Sequence, residues 1–161
     1  MAVKVGDALP ADVKLKEMSD GAPKDVTVGE LFKGKKVVLF AVPGAFTPTC
    51  SMKHLPGFVE QAQAIRQKGV DEIVCLSVND AFVMGAWGDQ QKAQGKVRMV
   101  ADGNGELTRA LGLEIDASGF GMGARSRRYA MIVDDGKVKE LFVEPGGGLN
   151  VSSAESVIAK L

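Results

Sequence analysis

Cys50 is the side chain in this sequence whose type and position could best support chemistry. It ends the segment PGAFTPTC, from Pro43 to Cys50, which follows a continuous apolar run. Thr47 is a suitable helix N-cap and Pro48 a suitable first helical residue, so Cys50 is predicted to lie in the first turn of a helix. Backbone N–H groups in such a turn stabilise a thiolate, the nucleophilic form of cysteine. Because many cysteines at helix starts are inert, position alone leaves a structural role open.

Two further residues could act with Cys50, and each has a structural alternative. His54 falls four positions later and could share a helix face with Cys50, as a proton donor or as a pocket wall. No orienting partner for His54 is recognisable, which favours a structural role. Cys75 lies inside the apolar run IVCLSV, where a cysteine usually packs as a small hydrophobic residue. The alternative is that Cys75 resolves oxidised Cys50 as a disulfide, which requires a Cα separation below about 7 Å.

An arginine cluster and several aromatic residues are weaker candidates. The cluster precedes the apolar run YAMIV and could be a solvated strand entrance, but Arg128 directly adjoins the run. Its members are Arg125, Arg127 and Arg128. Three aromatic residues suit core packing or subunit contact at least as well as pocket lining: Phe46, Trp87 and Phe120. Of these, Phe120 is the preferred candidate for a substrate contact.

Apolar runs without alternation predict buried central strands at 36–42, 73–78 and 129–133. The segment 97–100 is a weaker strand candidate, and 137–143 alternates like a half-exposed strand. The turn Asp134-Asp135-Gly136 predicts a hairpin between the last two strands. A mixed central β-sheet follows from this pattern.

Helical patterns fall between the strands, at 47–67, 81–92, 105–111 and 153–161. A helix kink is expected at Pro56-Gly57, a capping box at 152–155, and a mobile glycine-rich loop at 117–127. The order of elements predicts one α/β domain over residues 1–161, with helices on both faces of the sheet. This layout is compatible with a thioredoxin-like fold.

Composition excludes several classes of function. The 20 Lys and Arg residues balance the 20 Asp and Glu residues. The sequence also lacks the basic stripe, interleaved with aromatic residues, that would predict a nucleic-acid partner. The two cysteines lack the spacing of a metal site or a CxxC dithiol. No apolar segment reaches the roughly 18 residues of a membrane helix or resembles a signal peptide. We therefore expect a soluble, cytoplasmic protein without a metal.

The segment PGAFTPTC, followed by SMKHLPGF, resembles the active-site segment of the type II (peroxiredoxin 5-like) peroxiredoxins of the AhpC/TSA superfamily. The resemblance extends over nearly the whole chain. It includes IVCLSVNDAFVM, Trp87, Phe120, the run Arg128-Tyr129-Ala130-Met131 and Val143-Glu144-Pro145. It implies a thioredoxin-like fold, reduction of hydrogen peroxide and alkyl hydroperoxides, no metal or organic cofactor, and a homodimer.

The same resemblance implies roles for individual residues. Cys50 corresponds to the peroxidatic cysteine, which becomes a sulfenic acid, and Thr47 to the threonine that contacts it. Pro43 corresponds to the proline that shields the pocket, and Arg128 to the pocket arginine. A helix terminus supplies about 0.3 to 1 kcal/mol to an anion, whereas a charge-assisted hydrogen bond supplies about 1.5 to 3. Arg128 is therefore expected to stabilise the thiolate more than the helix does. Further pocket candidates are Gly44, Phe46, Phe120 and His54.

One position departs from the family pattern. Some members carry a resolving cysteine in a segment that resembles 148–152, where this chain has Val151. An external thiol is therefore the expected reductant, with glutathione and glutaredoxin first and thioredoxin second. An alternative function on the same scaffold is a peroxide sensor or a holdase-like binding protein.

Overall fold

Nine strands are found in the computed structural model, which describes residues 2–161. They are β1 (Lys14–Ser19), β2 (Ala22–Thr27), β3 (Lys36–Val42), β4 (Glu72–Ser77), β5 (Arg98–Ala101), β6 (Glu114–Asp116), β7 (Ala124–Ser126), β8 (Tyr129–Asp134) and β9 (Lys137–Val143). Seven of them form one sheet in the order β2-β1-β5-β4-β3-β8-β9. Because β3 is parallel to β4 and antiparallel to β8, the sheet is mixed, as predicted.

Helices of one to three turns connect the strands. They are α1 (Val28–Phe32), α2 (Leu55–Glu60), α3 (Ala62–Gln67), α4 (Ala81–Gln90), α5 (Glu106–Ala110) and α6 (Ala154–Ile158). A π-helical turn covers Cys50–His54, and a 3₁₀ turn covers Ser118–Phe120. Within residues 2–161, none of these helices is long and apolar enough to cross a membrane.

The sheet separates two apolar layers because alternate side chains of each central strand point to opposite faces. Val38 and Phe40 of β3 pack with residues of α2, α3, α4 and α6 on one face. Val37 and Leu39 pack with α1 and α5 on the other face. Helices therefore cover both faces, as predicted, and each central strand is buried on both sides. Cys50 belongs to the first of these layers.

The predicted central strands and the hairpin at Asp134–Lys137 are confirmed to within one residue. The β1–β2 hairpin was not predicted from sequence, because its strands are mostly exposed and rich in charge. Nor was α1, which is only five residues long. The segment 117–127 is not a simple loop, since it contains the 3₁₀ turn and β7, which pairs with β6.

The long helix predicted at 47–67 is divided into three pieces. Helical backbone begins at Pro48, as expected, but the Leu55 N–H donates to the Cys50 carbonyl five residues earlier. Pro56 has no N–H for the carbonyl four residues before it, so the wide turn precedes the proline. A second interruption of the helix lies at Gln61, between α2 and α3. The helix therefore does not break at Gly57, within the Pro56-Gly57 pair where the kink was expected.

The expected capping box at 152–155 is replaced by a different arrangement. Ser153, not Ser152, caps α6, and its hydroxyl oxygen accepts from the Ser156 N–H at 3.2 Å. The Ser152 hydroxyl instead donates to Glu144 Oε2 at 2.7 Å. Ser152 is thereby tied to the end of β9 rather than to the helix that follows it.

Candidate active site

Cys50 is held where the central strand β3 passes into a helix. The strand ends at Val42, the chain turns through Pro43 and Gly44, and helical backbone begins at Pro48. The Ser51 N–H donates to the Thr47 carbonyl at 2.9 Å and closes the first turn. Cys50 has no solvent-exposed surface and its thiol is unpaired. Its sulfur therefore lies in a low-dielectric environment, where each neighbouring charge acts strongly.

Arg128 provides the charged group beside this sulfur. Its backbone directly precedes β8, the strand adjacent to β3, and its side chain is 4% exposed. Nη2 donates to Cys50 Sγ at 3.3 Å, and Nη1 lies 3.0 Å from His54 Nδ1. A guanidinium offers several N–H donors in a fixed plane, so it can contact both groups at once. A thiolate at Cys50 is stabilised by this charge-assisted hydrogen bond.

The partners of His54 determine its tautomer. Nε2 lies 2.9 Å from the Ser152 carbonyl, which can only accept, whereas Arg128 can only donate to Nδ1. We therefore assign a neutral ring with its proton on Nε2. Burial, and then the charge of Arg128, lower the pKa of His54 to about 3. The single N–H of the ring is engaged by Ser152, so His54 supports Arg128 and has no proton free for a bound substrate.

Apolar rings hold His54 in this orientation. Its centroid lies 4.9 Å from that of Phe40 in β3 and 5.6 Å from that of Phe58 in α2. The two phenylalanine rings stack at 4.0 Å. They contribute to the burial that keeps the imidazole neutral.

Thr47 differs from its expected contact. Its hydroxyl donates to the Gly44 carbonyl at 2.6 Å, not to the Cys50 sulfur. A hydroxyl has one hydrogen, so in this conformation Thr47 can only accept from a further group. The threonine therefore stabilises the turn that leads into the Cys50 helix.

The turn at Pro43 and Gly44 is packed from outside by Arg125. The Arg125 Nη1 donates to the Pro43 carbonyl at 3.4 Å, and its Nε donates to the Met122 carbonyl at 2.9 Å. A Cβ at Gly44 would meet Met122 Cε at 2.8 Å and Thr47 Cγ2 at 3.1 Å. Close packing therefore favours glycine here, because a larger residue would have to move the tip of Met122.

The aromatic candidates occupy three different environments. Phe46 is 49% exposed and has a positive φ of 65°, a strained backbone for a bulky residue. Trp87 is fully buried, and its Nε1 donates to the Ser51 hydroxyl at 3.0 Å, next to Cys50 in sequence. Phe120 is 86% exposed, so within one chain it does not line a closed pocket.

Cys75 lies on β4 opposite Phe40 and is completely buried in the same apolar layer as Cys50. Burial, and then electrostatic repulsion from the neighbouring Cys50, raise the pKa of the Cys75 thiol. A thiol that stays protonated is a poor nucleophile. These surroundings fit a small core residue.

No group of three or more His, Cys, Asp or Glu side chains in residues 2–161 could hold a metal ion.

Two residues behind the site were not found from sequence. Ser152 supplies the acceptor for His54, and Glu144 supplies the acceptor for Ser152. Glu144 lies in the Val143-Glu144-Pro145 segment that contributed to the resemblance, but nothing in its spacing relates it to Cys50. Both are buried polar residues, which sequence patterns do not reveal.

Comparisons with known proteins place the chain in a family. The Redoxin family model matches residues 4–158. The chain is 55% identical over 163 residues to peroxiredoxin-2E-2, chloroplastic, of Oryza sativa subsp. japonica, covering 99% of this chain and 72% of that protein. It is 51% identical over 160 residues to peroxiredoxin-2B of Arabidopsis thaliana, covering 99% and 98% of the two chains.

A solved structure agrees with these sequence relatives. The crystal structure of reduced Prx3 from Vibrio vulnificus in complex with hydrogen peroxide superposes with a TM-score of 0.93 at 51% identity, covering 98% of each chain. The fold is therefore thioredoxin-like, as predicted, and peroxidase relatives favour an enzyme over the sensor or holdase-like alternative. The chain belongs to the Redoxin family, within which it is a type II peroxiredoxin of the AhpC/TSA superfamily, a thiol peroxidase of antioxidant defence.

Proposed function

We propose that Cys50 is the peroxidatic nucleophile of this thiol peroxidase and that Arg128 is its principal electrostatic partner. The observation that carries this assignment is the 3.3 Å contact between Arg128 Nη2 and Cys50 Sγ in a buried site. Such a donor stabilises the thiolate. It also stabilises the charge that develops along the O–O bond in the transition state, which accelerates the reaction.

The first step oxidises Cys50 by two electrons. The thiolate sulfur forms a bond to one peroxide oxygen as the O–O bond breaks, and Cys50 becomes a sulfenic acid. The other oxygen takes a proton and leaves as water or as an alcohol. A second peroxide would carry the sulfur on to the sulfinic acid, which is an inactive product.

Small hydroperoxides suit this site best. Cys50 has no exposed surface, so a small substrate reaches the buried sulfur more easily than a bulky one. The relative from Vibrio vulnificus was crystallised with hydrogen peroxide. We therefore propose hydrogen peroxide and alkyl hydroperoxides as substrates.

An external thiol completes the cycle in this proposal. The thiol displaces water from the sulfenic acid to form a mixed disulfide, and a second thiol releases Cys50. Cys75 is buried and its pKa is raised, which disfavours it as the resolving group. Val151 occupies the position where some relatives have a cysteine. We propose glutathione with glutaredoxin as the reductant, with thioredoxin as the second candidate.

Mass spectrometry distinguishes the recycling routes. The protein is treated with one equivalent of peroxide, with and without glutathione. We expect one added oxygen without glutathione and one glutathione adduct with it, both at Cys50. An intramolecular disulfide between Cys50 and Cys75 would overturn the external route. No oxidation at Cys50 would overturn the assignment of the nucleophile.

A homodimer in the cytoplasm is part of the same proposal. Four large apolar side chains with high exposure are available for a subunit contact: Phe46, Met52, Phe82 and Phe120. The two unpaired cysteines are typical of a reducing compartment. Sedimentation equilibrium of the wild type and of Phe120→Ser tests the dimer, and cell fractionation tests the location.

A further inference from the structure

Glu144 is a buried carboxylate whose hydrogen bonds all converge on one short turn. It follows β9 directly and is 1% exposed. Its Oε2 accepts from the backbone N–H groups of Asn150, Val151 and Ser152 at 2.9, 2.8 and 2.8 Å. It also accepts from the Ser152 hydroxyl at 2.7 Å. Its Oε1 has no hydrogen-bond partner in the described part of the chain. The carboxylate therefore acts on the segment 150–152.

The bonds to Glu144 fix the direction of the Ser152 carbonyl. The N–H and the hydroxyl of Ser152 both point to the same oxygen, so the residue is held at two points. Its carbonyl accepts from His54 Nε2 at 2.9 Å, across 98 positions of sequence. The backbone N–H of Glu144 also donates to the Arg128 carbonyl at 3.0 Å. Glu144 thus lies beside the backbone of Arg128 and holds the acceptor for His54.

His54 continues the connection to the reactive sulfur. With its proton on Nε2, its Nδ1 accepts from Arg128 Nη1 at 3.0 Å, and Arg128 Nη2 donates to Cys50. If Ser152 moved, the proton of His54 could shift to Nδ1. Two donors would then face each other, and Arg128 would lose its acceptor.

We propose that Glu144 is a positioning residue for the Cys50 reaction, because it holds the Ser152 carbonyl that selects the His54 tautomer and thereby orients Arg128. This inference rests on the proposed role of Cys50 and Arg128. It predicts that a carboxylate that does not contact the sulfur controls the reactivity of that sulfur.

Asp102 provides a matched control. It is a second buried carboxylate, 2% exposed, that accepts from the Leu107 and Thr108 N–H groups and the Thr108 hydroxyl. It stabilises the start of α5, on the opposite face of the sheet from Cys50. Loss of either carboxylate should reduce stability, but only Glu144 is connected to Arg128.

The experiment compares Glu144→Ala, Glu144→Gln and Asp102→Ala with the wild type. One measurement is the rate constant for peroxide at pH 7, and the other is the ¹⁵N NMR spectrum of the His54 ring, the only histidine of the chain. We expect Glu144→Ala to react about tenfold more slowly and to lose the pure Nε2–H tautomer. Glu144→Gln retains a carbonyl oxygen for the turn and should recover most of both properties. Asp102→Ala should change neither.

A second comparison tests whether the effect passes through His54. In a His54→Leu background, Glu144→Ala should lower the peroxide rate by less than about twofold, because coupled residues are not additive. If Glu144→Ala does not fold, Glu144→Asp, whose shorter side chain withdraws the carboxylate from the turn, replaces it in both comparisons.

Three results would overturn the inference: an unchanged rate and tautomer in the Glu144 variant, an equal loss of rate in Asp102→Ala, or a full additional loss in the His54→Leu background. A wild type that reacts no faster than Cys50→Ser would instead overturn the proposed function. The NMR comparison would still decide whether Glu144 controls His54.

Discussion

The guanidinium of Arg128 donates to the Cys50 sulfur at 3.3 Å, although the two residues are 78 positions apart. They meet because β3, which leads to Cys50, is paired with β8, which follows Arg128. Both residues are almost fully buried, so the positive charge acts on the sulfur with little solvent screening. The pairing of two central strands therefore places the charge of Arg128 beside the sulfur of Cys50.

Arg128→Lys should slow the reaction with peroxide by about 10- to 100-fold. A lysine retains the charge but cannot hold Cys50 and His54 together, and a charge-assisted hydrogen bond is worth about 1.5 to 3 kcal/mol. Stopped-flow measurement at pH 7 checks this. Arg127→Lys is the control, because Arg127 is exposed, and it should stay within about twofold of the wild type. Equal behaviour of the two variants would show that the fork geometry is unimportant.

His54 should make the protein less stable as the pH falls below about 6.5. Its pKa is lowered to about 3 in the folded state, so the unfolded chain binds the extra proton first. The free energy of unfolding should then fall by up to about 1.4 kcal/mol per pH unit. Denaturant titrations between about pH 5 and 7.5 measure this slope.

The variant His54→Gln isolates the contribution of this single histidine. It lacks the titrating ring, so its stability should change much less over the same range. Burial would raise the pKa of Glu144, but hydrogen bonds from Ser152, Val151 and Asn150 together outweigh it and lower that pKa below its usual value. Glu144 therefore titrates below this window. A slope equal to that of the wild type would contradict the assignment of a buried neutral ring.

Gly44→Ala should lower both stability and reactivity. The new methyl carbon would lie 3.1 Å from Thr47 Cγ2 and 2.8 Å from Met122 Cε, so both side chains would have to move. We expect a loss of about 1 kcal/mol, because the Met122 tip is flexible, and about a tenfold lower peroxide rate, because the Cys50 turn moves. Thermal unfolding and stopped-flow kinetics measure the two effects.

Gly57→Ala is the matched control for this substitution. Gly57 lies in α2, and a Cβ there would meet only Ala154 Cβ at 3.9 Å. Alanine should raise stability by about 0.5 to 1 kcal/mol and leave the rate unchanged. If both alanine variants kept the wild-type rate, close packing at Gly44 would not control the reaction.

Cys75→Ala should retain peroxide turnover with an external thiol. Cys75 is buried in the core and its raised pKa keeps the thiol protonated. Removal of the sulfur leaves a small cavity, so a stability loss of about 1 kcal/mol is expected. Turnover with glutathione and glutaredoxin, or with thioredoxin, measures the activity. Complete loss in a folded Cys75→Ala variant would require an intramolecular disulfide in the cycle.

Local patterns predicted the parts of this molecule that depend on burial. The apolar runs that became β3, β4 and β8 lie within one residue of their expected positions, because each is covered on both faces. Cys50 lies in the first helical turn, as Thr47 and Pro48 predicted. Arg128 could be selected from sequence because it adjoins a buried strand and fits the family pattern.

The remaining features depend on contacts between distant segments. His54 reaches Ser152 across 98 positions, and Glu144 holds the turn that presents that carbonyl. No spacing rule relates these residues. The Thr47 hydroxyl could equally bond to the sulfur or to its own turn, and the π-helical turn depends on how the chain accommodates Pro56.

The most direct test of Cys50 as the nucleophile is its rate constant with hydrogen peroxide, measured by stopped flow on the reduced protein at pH 7. Cys50→Ser, in which Cys75 remains, reports the background. We expect the wild type to react several orders of magnitude faster than free cysteine at the same pH, and the variant to show no such reaction. A wild-type rate equal to that of free cysteine would contradict that assignment.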